Sequence, residues 1–203
     1  MARKPNTEQR REQIVNGLLE AIGEHGYDKA TIQTIAQKAG LAPGLIHYHF
    51  QNKEEILLEL VKSLAAVAQR RYESLAASAT NSAARLNAYI DARLALGDGA
   101  EPQTVAAWVV IGAEAIRQPQ VRAAYQDAVA AERALLETLL DGYLRERGKS
   151  PASAGRLAAA LIALMEGAFQ LSSAAGDIMP RGYAADMALQ LVGRFADAEP
   201  DIR

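Results

Sequence analysis

The sequence predicts an all-α protein: an N-terminal three-helix domain containing a helix-turn-helix, then a larger C-terminal helical domain. Three observations carry this. Alanine, the strongest helix former, is abundant, while aromatic residues make up only 5% of the 203 residues. Apolar residues recur at helical spacing along most of the chain, and no run alternates as a strand would. Two short helical stretches flank Gly40, where a tight turn requires a positive φ.

The first helix is expected to open near Asn6, because Asn6 and Gln9 have the spacing of a capping box, and to stop at Gly26. Its Ile14, Leu18 and Ile22 repeat every four residues on one apolar face. Arg3, Lys4, Arg10 and Arg11 read either as a solvated terminus or as an arm that contacts DNA. The second helix spans 31–39, capped by Thr31 and ended by Gly40. The third starts at Pro43, a residue suited to the first helical position, and runs to about Phe50. Asn52 and Glu55 have capping-box spacing and open a long helix with Ile56, Leu60, Leu64 and Val67 on one stripe.

Further helices are expected over 83–96, 103–117, 119–147, 152–175 and 183–195. Residues 97–102 read as a loop, Pro119 restarts a helix, and 148–151 is a tight connection between antiparallel neighbours.

Composition excludes several kinds of chemistry. With no cysteine there is no disulfide, thiol catalysis or cysteine-ligated metal. The N-terminus lacks the apolar run of a signal peptide, and the apolar stretch 157–165, stopped by Glu166, is too short for a membrane span; a cytoplasmic location is expected. The net charge of −2 conceals an asymmetry: residues 1–53 carry seven Lys/Arg against five Asp/Glu, and the remainder fifteen against nineteen. A mildly basic N-terminal part is compatible with nucleic acid without demanding it.

The stretch 31–50 meets the packing demands of a helix-turn-helix. Ala36 is small where the two helices cross, and Ile32, Ile35, Leu41, Ile46 and Phe50 supply a core shared with the first helix. At about 100° per residue, burying Ile46 and Phe50 turns Gly44 and Tyr48 outward, flanked by Leu45 and His47. Such a face fits a major groove: Gly44 permits close backbone approach, His47 and Tyr48 donate to phosphates, and Leu45 touches a thymine methyl. Thr31 and Gln33 begin the preceding helix within reach of a base edge or phosphate. Lys53, beside free N–H groups in the first turn of the long helix, suits a phosphate. His49 is either a phosphate contact or a packed residue.

These residues, Thr31 to Gly40 followed by Pro43 to Leu57, resemble the TetR family of bacterial transcription regulators over roughly residues 8–68. The resemblance implies a helical homodimer with a DNA-binding domain over 8–68 and a ligand-binding and dimerisation domain over 69–203. It also implies ligand-controlled release from a double-stranded operator, usually by a repressor. It places the DNA contacts on Gln33, Pro43, Gly44, Leu45, His47, Tyr48, His49 and Lys53. His47 departs from the family's more usual tyrosine, and its charge depends on pH. Ala107-Trp108 and the run from Arg117 to Arg122 resemble the betaine-pathway branch, whose repressors sense choline.

In the C-terminal part, Trp108 is either core or a ligand wall whose indole face holds a cation. Glu114 and Glu166 lie in apolar runs, and each needs a partner: an internal arginine such as Arg93 or Arg117, a second subunit, or a small-molecule effector. Tyr89, Tyr125, Met165, Phe169 and Gln170 are further ligand candidates. Helices 119–147 and 152–175 carry apolar residues for packing within a subunit or across a dimer, and the resemblance assigns these two helices to a homodimer interface. No catalytic site, cofactor or metal is expected: His47 and His49 diverge on a helix, and Glu-x-x-His and phosphate-cradling motifs are missing. An architectural DNA-binding dimer without a ligand is the rival reading, which a cavity of several hundred Å3 would disfavour.

Overall fold

A computed structural model describes residues 4–94 and 102–202, with side chains from Thr7 onward. The helices are α1 Lys4–His25, α2 Ile32–Ala39, α3 Pro43–His49, α4 Lys53–Ala76, α5 Ser82–Leu94, α6 Pro102–Arg117, α7 Pro119–Glu146, α8 Ala154–Ala175 and α9 Tyr183–Ala198. A short 3-10 turn, Gly176–Ile178, follows α8, and an isolated antiparallel bridge joins Lys149 to Asp201. The chain forms two compact units: residues 1–65 with 101–128, and residues 66–100 with 129–203.

In the first unit, α1 packs on α2, α3 and α6. Ile14, Leu18 and Ile22 are buried with Ile35, Ala36, Ile46 and Phe50, as the periodicity requires; Ile32 and Leu41 are only half-buried. The crossing of α1 and α2 is tighter than Ala36 alone indicates. A Cβ on Gly17 would lie 2.7 Å from the Ile35 carbonyl oxygen and 3.0 Å from the Ala39 nitrogen. Only hydrogen at Gly17 allows this approach. An ion pair between Lys38 and Glu24 ties the same two helices at the surface.

Local chemistry sets most boundaries. Thr31 Oγ1 accepts from the Thr34 amide at 3.1 Å and caps α2. Gly40 ends it at φ 66°, with the Gly40 and Leu41 amides returning to Gln37 and Ala36. Pro43 is the first residue of α3. Asn52 Oδ1 accepts from the Glu55 amide at 2.8 Å, while Glu55 Oε2 accepts from the amide of Gln51, one residue before the cap.

Three expectations fail. α1 begins at Lys4, so Asn6 lies inside the helix rather than at its cap. The buried stripe of α4 ends at Leu64, and Val67 is exposed. Glu166 does not stop α8: Ala154–Ile178 is long and apolar enough, by length and composition alone, to cross a membrane. Residues 97–101 of the expected loop, the expected end of α5 at Leu96, and Arg3 lie outside the described residues.

In the second unit α5 packs on α8 and α9, and α8 on α9. Leu157, Leu161, Met165 and Phe169 form the buried face of α8, and Ala184, Ala188 and Val192 that of α9. Between α5 and α7, Tyr89 donates its hydroxyl to Glu132 Oε1 at 2.7 Å, and Arg93 Nη2 donates to Oε2 at 3.0 Å. Arg93 Nε lies 2.7 Å from the same carboxylate, close enough for an ion pair but off the line of its N–H.

Candidate nucleic-acid interface and effector residues

The outward face of α3 follows from its buried one. Ile46 and Phe50 enter the core, leaving Pro43, Gly44, His47 and Tyr48 exposed, with Leu45 and His49 half-buried. Tyr48 is 73% exposed, an unusual position for a large aromatic residue on a short, well-anchored helix. Its ring meets that of His49 edge-on at 5.0 Å. Nothing fills the space around a Cβ built on Gly44, so a partner backbone can approach that point.

Thr31 and Gln33 lie exposed at the start of α2. The Thr31 hydroxyl already accepts from the Thr34 amide and pairs with Thr34 Oγ1 at 2.9 Å, whereas Gln33 projects into solvent. Lys53, expected to suit a phosphate, is also engaged within the chain. Its ammonium donates to the Tyr27 carbonyl at 2.9 Å and sits 4.1 Å from the centre of the Tyr27 ring. One of its three donors is therefore used internally, and the others stay available to an oxygen ligand. Burial, reinforced by the nearby carboxylates of Glu54 and Glu114, pushes the Tyr27 phenol well above its ordinary value, so it stays neutral.

Two features escape a reading of spacing alone. Gly17 permits the α1–α2 approach. Arg11 is part of neither a frayed end nor an extended arm: it lies within α1, and its guanidinium donates to the His49 carbonyl at 2.7 Å. The high density of basic residues near the terminus was the only signal, and it does not indicate direction. His49 itself is held below the ordinary imidazole value, chiefly by burial and then by the charges of Arg11 and Arg10.

The effector candidates divide between the two units. In the first unit, Trp108 and Tyr125 pair at 5.0 Å with their planes tilted by 33°, and Gly112 faces the Tyr125 ring. Glu114, only 5% exposed, accepts from Arg117 at 2.6 Å and from Gln118 at 2.8 Å, so both carboxylate oxygens have partners within its own chain. In the second unit, Tyr89 is engaged by Glu132, and Phe169 lies beneath the Arg93 guanidinium at 5.3 Å. Met165 is buried, Glu166 half-buried and Gln170 exposed. An open surface groove of about 380 Å3 is lined by Arg145, Ser150, Pro151, Pro200, Asp201 and Ile202, and none of the eight candidates lines it.

Large apolar side chains left in solvent include Leu171 on α8 and Met187 and Leu191 on α9, at 40%, 44% and 43% exposure. Among the described residues α7 has none.

Residues 14–60 match the bacterial regulatory proteins of the tetR family, and residues 82–199 match the C-terminal region of BetI-type transcriptional repressors. The HTH-type transcriptional regulator BetI of Rhizobium meliloti is 33% identical over 163 residues, covering 79% of this chain and 76% of its own length. Its counterpart in Agrobacterium fabrum is 31% identical over 160 residues, covering 79% and 75%. Among solved structures, a transcriptional regulator from Pseudomonas aeruginosa superimposes with a TM-score of 0.82 at 21% identity, covering 94% of this chain and 92% of that one. One from Saccharomonospora viridis, in complex with choline, gives 0.76 at 23% identity, covering 97% and 100%. A helix-turn-helix with an exposed recognition face, joined to a C-terminal region of this type, identifies the chain as a transcription regulator belonging to the TetR family, with a BetI-type C-terminal region.

Proposed function

We propose that the chain is a cytoplasmic repressor that reads a palindromic operator with α3 and releases it when a small molecule binds the C-terminal region. The observation that carries this is the exposed face of Gly44, His47 and Tyr48 on a helix whose opposite side is buried. Gly44 and Pro43 admit the DNA backbone, His47 and Tyr48 donate to phosphates or base edges, and Leu45 touches a thymine methyl. Gln33, Thr31, His49 and Lys53 flank this face as further contacts. The DNA-binding domain spans 8–68 and the effector and dimerisation domain 69–203.

The dimer forms through α8 and α9. Leu171, Met187 and Leu191 support this, whereas the exposed residues of α7 are polar or small, so in this proposal α9, rather than 119–147, joins α8 at the dimer face. Two-fold symmetry then places two α3 helices on half-sites about one DNA turn apart or slightly more.

For the effector we favour a quaternary ammonium compound. The BetI-type match supports this class, and the Trp108–Tyr125 pair offers aromatic faces to a cation. α6 packs directly on α1 of the reading head, which gives effector binding a short route to α3. The coupling is reciprocal: DNA weakens effector binding as much as effector weakens DNA binding.

The deciding experiment measures binding to DNA from the chain's own upstream region across a salt series, for wild type and Tyr48→Ala, with and without choline. Tyr48 is exposed, so its loss changes stability by no more than about 0.5 kcal/mol. Tight wild-type binding lost in the variant and weakened by choline supports the proposal. Equal affinity of both proteins refutes the assignment of α3, and indifference to choline refutes the effector class.

A further inference from the structure

The seven residues of α3 form a helix far too short to hold its own geometry in water, so its orientation depends on what grips its two ends. The N-terminal end is fixed by Pro43 and by the packed turn at Gly40. The C-terminal end has few backbone partners: the Phe50 amide returns to the Ile46 carbonyl at 2.9 Å, and the carbonyls beyond Ile46 have no further turn of helix to bond. Arg11 supplies the missing grip. From α1 it donates Nη1–H to the His49 carbonyl at 2.7 Å, lies 4.0 Å from the centre of the Phe50 ring, and reaches Glu59 of α4 with Nη2 at 3.4 Å. One planar guanidinium thus joins three helices and places a positive charge at the negative end of the α3 dipole.

We propose that Arg11 is a positioning residue for DNA recognition: by clamping the last turn of α3 it sets the pitch at which His47 and Tyr48 meet the groove. This rests on the assignment of α3 as the reading helix. Tyr48 adjoins the clamped carbonyl in sequence, and its ring contacts His49, so a small rotation of the last turn displaces the residues that face DNA. Recognition tolerates only about 0.5 Å and 10–20° of such error. Arg11 acts through geometry rather than through its own charge. Lysine, with a point-like ammonium, can reach the carbonyl but cannot also stack on Phe50 and fork to Glu59.

The test uses the full-length protein, a duplex selected by the wild type from a random-sequence pool, and a scrambled duplex of equal composition. Arg11→Lys keeps the charge and most of the stem, and Arg11→Met keeps only bulk; urea unfolding establishes the folded fraction of each. The expected result is a loss of about tenfold or more on the selected duplex in both variants, with affinity for the scrambled duplex and the salt slope unchanged. If Arg11 is a phosphate contact instead, Arg11→Lys retains affinity and Arg11→Met weakens both duplexes equally, with a slope smaller by about one. That outcome overturns the proposal, as does an unchanged ratio between the duplexes accompanied only by lower stability. If the wild type selects no sequence, the assignment of α3 itself fails. If the wild type selects a duplex and the variants keep its preference, only the role of Arg11 fails.

Discussion

Alanine at Gly17 and alanine at Gly23 should have opposite effects, although both sites are on α1. At Gly17 the added methyl falls 2.7 Å from the Ile35 carbonyl oxygen, 3.0 Å from the Ala39 nitrogen and 3.1 Å from the Ala39 Cβ. The first of these is about 0.7 Å short of ordinary van der Waals contact, and two of the three atoms belong to the α2 backbone. No side-chain rotation relieves it, so α2 must move as a unit. Overpacking of this kind costs about 1–3 kcal/mol, against about 1 kcal/mol gained by replacing a helical glycine with alanine. The net effect is a loss of up to about 2 kcal/mol. At Gly23 the nearest atom is Gln103 Cγ at 3.9 Å, so only the helix-propensity gain operates. For a chain of this length each kcal/mol moves Tm by about 2–4 °C. Thermal unfolding should therefore place Gly17→Ala below the wild type, by up to roughly 8 °C, and Gly23→Ala above it. A displaced α2 carries α3 with it, so Gly17→Ala also weakens operator binding in the folded protein. A Gly17→Ala variant that gains stability as Gly23→Ala does would refute the close α1–α2 approach on which this reasoning depends.

Removal of Glu132 by Glu132→Ala strands the Arg93 guanidinium, whose side chain is only 14% exposed, and should cost about 3–5 kcal/mol in urea unfolding. The double change Arg93→Met with Glu132→Leu should cost much less, because it removes both charges together. His49 should titrate below 6.5 when followed by NMR. Because its folded value is depressed, the unfolded chain takes up the proton first, so stability falls as pH drops through about 6.5. His49→Gln should lessen that fall between pH 7.5 and 5.5, and an unchanged pH dependence would remove His49 as its source. Leu191→Glu with Leu171→Glu places charge on the proposed dimer face, and sedimentation should shift from dimer to monomer with little change in helix content.

The helix-turn-helix was legible because its constraints are local. Thr31 as cap, Gly40 as the left-handed turn and Pro43 at the first position of α3 each act within a few residues, and the period of Ile14, Leu18, Ile22, Ile46 and Phe50 fixes which faces are buried. Once Ile46 and Phe50 are inside, Gly44 and Tyr48 must point outward, so most of the candidate interface followed from the sequence. The start of α1 did not, because Asn6 satisfies a capping pattern that the helix runs through.

Tertiary structure alone decided what distant residues do. Arg11 and His49 are far apart in sequence, as are Lys53 and Tyr27, and no periodicity shows that one side chain closes on the other's carbonyl. The partners of Glu114 and Glu132, the 2.7 Å approach at Gly17 and the exposure of Leu171, Met187 and Leu191 on α8 and α9 belong to the same class. Local sequence determines where a helix begins and which side it buries, since both depend on hydrogen bonds and spacing within a turn or two. Which element covers that side, and which charges meet there, depends on long-range packing that a single sequence does not encode in any local pattern.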